Sequence, residues 1–135
     1  MPLVTWSDEL SVHVKEFDLQ HQKLVAILNE LYDSMKEGKG KEVLAEIFSG
    51  LVDYTKVHFG AEERMFELYN YPDAVSHRAE HEALTRQALE LKEKFNSGSM
   101  FVTIETLNFL RDWLSRHILE TDRHYGAFFN GKGVN

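Results

Sequence analysis

Apolar residues recur along this chain at intervals of three and four in four separate runs. That spacing marks one face of an α-helix. The first run is His21, Leu24, Leu28, Leu31 and Met35. Asp18 precedes it and reads as an N-cap, with the helix extending to about Glu37 and Gly38 stopping it. The second helix is expected from about Lys41 to Leu68, with Leu44, Ile47, Phe48, Leu51, Tyr54, Thr55, His58, Glu62 and Met65 on one face. The third, from about Asp73 to Asn96, carries His77, His81, Leu84, Ala88, Leu91 and Phe95. The fourth, from about Val102 to Phe129, turns Leu107, Leu110, Leu114, His117 and Ile118 inward. Gly38 and Gly40, the segment Asn70-Tyr71-Pro72-Asp73, and Ser97-Gly98-Ser99 supply the breaks. No strand of useful length is expected.

Four long helices with short connectors predict an all-α, up-down-up-down antiparallel four-helix bundle. Residues 1–17 sustain no helical stripe and read as an extended N-terminal arm. Residues 18–129 read as the bundle and 130–135 as a tail, making one domain of 135 residues.

Every one of the four stripes is interrupted by histidine or carboxylate. His21 lies early in the first helix, and His58 and Glu62 lie late in the second. His77 and His81 lie early in the third, and His117 and Asp122 late in the fourth. In an antiparallel bundle these positions fall at the same end, so all seven residues converge at one depth. Residues four apart differ by only about 40° around a helix, so His58 with Glu62, and His77 with His81, each present two groups to one point. A single such pair is ordinarily a surface or capping pair. A polar group on the core stripe of every helix is different, because an uncompensated buried imidazole or carboxylate costs several kcal/mol. A bound cation resolves the conflict. Seven ligands exceed one tetrahedral or octahedral site, so two metals sharing the carboxylates fit better. Iron, zinc and copper all suit a histidine-rich set, and composition does not choose among them.

Composition narrows the rest. The chain contains no cysteine, which excludes disulfides, thiolate zinc sites and cysteine-held iron–sulfur clusters. The net charge of −7 repels phosphate and argues against nucleic acid. No apolar stretch reaches the roughly 18 residues of a membrane span. The first residues, Met1 to Trp6, lack the pattern of a secretory signal, so a cytoplasmic, monomeric protein is expected. His13 and His124 pair with nothing in the ligand pattern and read as surface residues. Glu63 sits about 100° from Glu62 and reads as solvated or as support for a ligand.

The series His21, His58-x-x-x-Glu62, His77-x-x-x-His81 and His117-x-x-x-x-Asp122 resembles the hemerythrins, and specifically their free-standing bacterial members. The likeness extends to Trp6 and to Phe17-Asp18-x-x-His21, nearly the whole chain. It implies a non-haem di-iron centre, bridged by an oxo or hydroxo ligand, that binds O2 reversibly. Carried over by position, His77, His81 and His117 hold one iron and His21 and His58 the other. Glu62 and Asp122 bridge them, and O2 takes the open position on the second iron. Leu24, Phe59, Trp113, Leu114 and Ile118 stand near the ligands and are expected to form a dry apolar O2 pocket.

The expected function is O2 carriage, storage or delivery to an oxygen-consuming enzyme, with no catalytic residues of its own. A di-iron oxidase or peroxidase is the rival reading, but the helical di-iron oxidases use Glu-x-x-His motifs and this chain has none. An O2 or NO sensor acting through a separate partner is the other. One detail is geometric. His117 and Asp122 are five residues apart and would diverge by about 140° on an ideal helix. A local π-type turn would bring them together, and the alternative is a regular helix whose Asp122 approaches the metals from the flank.

Overall fold

The computed structural model describes residues 2–98 and 103–135. A short 3-10 turn (Asp8–Leu10) precedes α1 (Lys15–Lys36), α2 (Lys41–Tyr69), α3 (Ala74–Asn96) and α4 (Ile104–Arg116). A π-helical turn (His117–Asp122) joins α4 directly to α5 (Arg123–Gly131), so these three segments form the fourth rod of an all-α antiparallel bundle. There is no strand among the described residues. The expected start of the fourth helix at Val102 lies outside them.

The helix ends follow local chemistry. Asn70, with φ of 53°, takes the left-handed conformation after α2, and Tyr71 N–H closes back on the Phe66 carbonyl at 2.9 Å. Thr103 caps α4 by accepting from the Thr106 N–H at 3.3 Å. Inward residues then pack along the bundle axis. Leu28, Leu31, Phe48, Phe95, Leu107 and Leu110 fill the half remote from the histidines, where the Phe48 and Phe95 rings stack with centroids 6.2 Å apart. Phe17, Phe66, Tyr125 and Phe129 close the other end.

The first helix corrects the expectation at Asp18. It begins three residues earlier, at Lys15, and its N-cap is Val14, whose side chain cannot cap. Asp18 lies inside the first turn, and its carboxylate reaches out of the helix. It accepts from Ser11 Oγ at 2.6 Å and from the Val12 N–H at 2.8 Å. The preceding segment offers it free donors, whereas a residue already inside the helix has no cap to make. Asp18 therefore fastens the arm.

The arm itself is not simply extended. It contains the 3-10 turn, and His13 adopts a φ of 61°. Val12 and Val14 are buried on either side of that kink while His13 is exposed. Asn29 of α1 grips the arm twice, accepting from Val4 N–H at 2.9 Å and donating to its carbonyl at 2.8 Å. Far along the chain, Gly126 faces the Val12 carbonyl so closely that a Cβ there would collide with it. The absent side chain is what lets the arm lie against α5.

Gly126→Ala should therefore destabilise the protein by about 1–3 kcal/mol, because backbone rather than a flexible side chain must give way. Denaturant unfolding would show it. An unchanged midpoint would mean that the arm does not rest on α5 in solution.

Candidate metal centre

Each polar intruder is carried to the same depth by its own helix. His21 comes from α1, His58 and Glu62 from α2, His77 and His81 from α3, and His117 and Asp122 from the two ends of the π turn. All seven are buried, and none exceeds 4% exposure. They form two overlapping groups. Glu62, His77, His81, His117 and Asp122 offer ligand atoms within 4.8 Å of one another, and so do His21, His58, Glu62 and Asp122. The two carboxylates belong to both groups.

The carboxylate oxygens divide the work. Asp122 Oδ1 lies 2.8 Å from His77 Nε2 and 2.9 Å from His117 Nε2, while Oδ2 lies 2.9 Å from His21 Nε2. Glu62 Oε1 lies 3.3 Å from His58 Nε2 and 3.2 Å from His81 Nε2. Its other oxygen accepts a very short hydrogen bond from the Tyr125 hydroxyl. The π turn makes the Asp122 contacts available, because i and i+5 stack in that geometry.

The outer nitrogens reveal the tautomers. His58 Nδ1 meets Gln20 Oε1 at 2.5 Å, His81 Nδ1 meets Glu63 Oε2 at 3.3 Å, and His117 Nδ1 meets Glu80 Oε1 at 2.8 Å. These oxygens only accept, so each Nδ1 carries the proton. In a neutral ring Nε2 then presents a lone pair. The Nε2 atoms of His21, His58, His81 and His117, together with Glu62 Oε1 and Asp122 Oδ2, are buried without an aligned hydrogen-bond partner. Lone pairs facing carboxylate oxygens across about 3 Å repel unless a cation stands between them. The donor set thus fits a pair of hard-to-borderline metal ions held by nitrogen and oxygen.

Electrostatics agree. Burial holds the His58 and His81 imidazoles down to about 4, so both are neutral and ready to ligate. For His117 burial alone would lower the value, but Asp122 and Glu80 outweigh it and raise it to about 10. A proton there stands in for a cation. Burial and the Asp122 charge push Glu62 up. Burial also opposes ionisation of Asp122, but His117, His21 and His77 overcome it and hold its carboxyl well below the usual range. Burial, then the charges of Glu62 and Asp122, raise Tyr125 well above its ordinary value, so it stays a hydroxyl donor.

Beside the His21–His58 group lies an enclosed cavity with about 220 Å³ of atom-free space, nowhere wide enough for a water molecule. Leu24, Phe59, Trp113 and Leu114 line it, as do Thr55 and Leu84. Ile118 is buried in the core but does not line it. It follows His117 by one residue in the π turn and so points in a different direction from that ligand. Phe59 lies flat on His81, with centroids 3.8 Å apart and planes 4° apart. His13 and His124 are exposed and stand apart from the cluster.

The chain matches the model of the hemerythrin HHE cation-binding domain over residues 12–129. It belongs to the hemerythrin family. It is 35% identical over 127 residues to the bacteriohemerythrin of Methylococcus capsulatus, across 93% of this chain and 96% of that one. The bacteriohemerythrin of Pseudomonas aeruginosa strain PAO1 is 34% identical over 125 residues, across 93% and 80%. A crystal structure of wild-type hemerythrin superposes with a TM-score of 0.87 at 33% identity, covering 93% of this chain and 96% of that one. Within this hemerythrin fold the partners that sequence reading missed are Gln20, Glu80, Thr121 and Tyr125. Gln20 adjoins His21, Thr121 adjoins Asp122, and Tyr125 follows Asp122 by three. Nothing in the sequence distinguishes them from ordinary polar residues.

Metal loading should release protons at pH 7, because a metal on His117 displaces the proton that this residue otherwise keeps until pH rises through about 10. Lowering the pH favours that proton, so affinity should fall about tenfold per pH unit for each proton displaced. Titration calorimetry in buffers of different ionisation enthalpy would measure it. Binding independent of pH between about 6 and 9 would exclude His117 as a ligand.

Proposed function

We propose that this hemerythrin binds O2 reversibly at a di-iron centre, for carriage, storage or delivery to an oxygen-consuming enzyme, and does not turn over a substrate. His77, His81 and His117 would hold one iron and His21 and His58 the other, with Glu62 and Asp122 shared. When bound, the iron pair supplies the two electrons by which O2 is held.

The observation that carries this reading is the placement of the dry cavity. It is lined by both imidazoles of the two-histidine group, His21 and His58, and by His117 alone of the three-histidine group, so it opens mainly onto the side with fewer imidazoles and room for a further ligand. Its wall is built to exclude water. Leu24, Phe59 and Leu114 are almost wholly buried, and Trp113 is nearly so. The Thr55 hydroxyl in the wall donates to the Leu51 carbonyl at 2.7 Å, so its proton is already engaged. Tyr125 holds its proton toward Glu62, and its raised value keeps it there through neutral pH. An apolar wall that keeps water out slows loss of reduced oxygen as a protonated product, and the buried Trp113 Nε1–H is an unpartnered donor on a wall residue.

The histidine-rich donor set supports binding over oxidation. A set of five imidazoles and two carboxylates carries less negative charge than a carboxylate-dominated set, and so stabilises high-valent metal less.

The iron-loaded protein should show a visible absorption band that appears with O2 and vanishes on degassing, through repeated cycles. Irreversible oxidation on first exposure, with consumption of an added reductant, would favour an oxidase. Leu114→Ala opens the wall beside His117 and should speed autoxidation several-fold by admitting water. Identical autoxidation rates for the two proteins would remove Leu114 from the wall.

A further inference from the structure

Around the cluster, the acceptors behind the imidazoles are unevenly distributed. In the three-histidine group, His81 leans on the Glu63 carboxylate and His117 on Glu80. In the two-histidine group, His58 leans on the neutral amide of Gln20, and His21 Nδ1 is buried without a hydrogen-bond partner. Charge behind the imidazoles therefore stands on one side only. Glu63 shares its charge with Arg78, 3.5 Å away. No lysine or arginine pairs with Glu80 among the described residues, and its close partners there are His117 and Thr121.

Glu80 does a second thing. It stands on α3, yet it reaches two points of the π turn in the fourth rod. It accepts from His117 Nδ1 at 2.8 Å, and the Thr121 hydroxyl lies 2.7 and 2.8 Å from its two oxygens. The π turn runs from His117 to Asp122, so the two anchors bracket nearly its whole length. A turn with one extra residue per cycle is rare and needs outside support.

We propose that Glu80 is a positioning residue acting on the metal centre through His117. It clamps the π turn so that His117 and Asp122 present their ligand atoms to the same point. Its charge, carried through the imidazole, makes the three-histidine side the more electron-rich and favours the oxidised state of the metal there. A carboxylate behind a ligating histidine raises its basicity, and hydrogen bonding around a metal site is a recognised control on its potential. This rests on the di-iron reading above.

The two roles separate by substitution. Glu80→Gln keeps the shape and an acceptor oxygen for His117 but removes the charge. Glu80→Ala removes both, and Thr121→Val releases one anchor while leaving the charge. Full-length proteins would be loaded anaerobically with Fe(II) for mediated redox titration, and separately with Zn(II) as a redox-silent probe of affinity. Glu80 is 38% exposed, so solvent screens part of its charge and a moderate effect is expected. Glu80→Gln should retain two metals and lower the oxidised-to-reduced ratio at fixed potential about tenfold, or ~59 mV for one electron. Thr121→Val and Glu80→Ala should weaken retention of one Zn(II) by about 10–100-fold.

An unchanged potential in Glu80→Gln overturns the charge role. Wild-type Zn(II) affinity in Thr121→Val overturns the clamp, even if Glu80→Ala fails to fold. A wild-type protein that takes up no metal pair overturns the di-iron reading itself, before any variant is compared.

Discussion

Two carboxylates and five imidazoles share a volume closed to water, and their charge has to be balanced from within. The rest of the arrangement follows from that constraint. A bundle interior offers no solvent, so each polar atom needs a partner on another helix or a cation among them. The outer nitrogens of His58, His81 and His117 take the first course, binding Gln20, Glu63 and Glu80. The inner nitrogens are left facing carboxylate oxygens at separations from 2.8 to 3.3 Å. The same side chains that destabilise a bare core become the binding energy for metal, because what metal gains is the repulsion it relieves. The elevated His117 shows the substitute that a proton provides.

The π turn is the geometric answer to the same constraint. On α2 and α3 the paired groups are four residues apart and fall on one face without distortion. On the fourth rod the pair is five apart, and the helix widens between His117 and Asp122 to compensate. The widening also turns the following segment so that Tyr125 comes under Glu62. Three residues of one rod thus serve the two shared carboxylates: Asp122 as one of them, His117 beside it and Tyr125 beneath the other.

Much of this was legible in the sequence, and for definite reasons. Helix spacing survives in apolar stripes because packing enforces it, and burial of polar residues on those stripes is conspicuous because it is costly. The five-residue gap between His117 and Asp122 points to the π turn only once the family pattern requires both as ligands, and the helix does widen there. Asp18 misled because a carboxylate before an apolar run looks the same whether it caps a helix or ties down a preceding segment. Only the positions of the Ser11 hydroxyl and the Val12 amide distinguish the two. Ile118 shows the limit of reading a wall from sequence spacing, since it is buried in the core without being among the residues that line the cavity. Glu80 was invisible because its partners are 37 and 41 residues away, and no local pattern encodes that distance.

The contact between Val12 and Gly126 joins the N-terminal arm to the last helix. A ribosome makes the arm and α1 long before α5, so during synthesis the arm has nothing to lie against. The cluster is likewise incomplete until Asp122 has emerged and the fourth rod has docked. A nascent chain can then offer metal only a partial and open set of imidazoles, without the second shared carboxylate. Full capture of metal therefore has to wait until the fourth rod has docked and brought Asp122 to the other ligands.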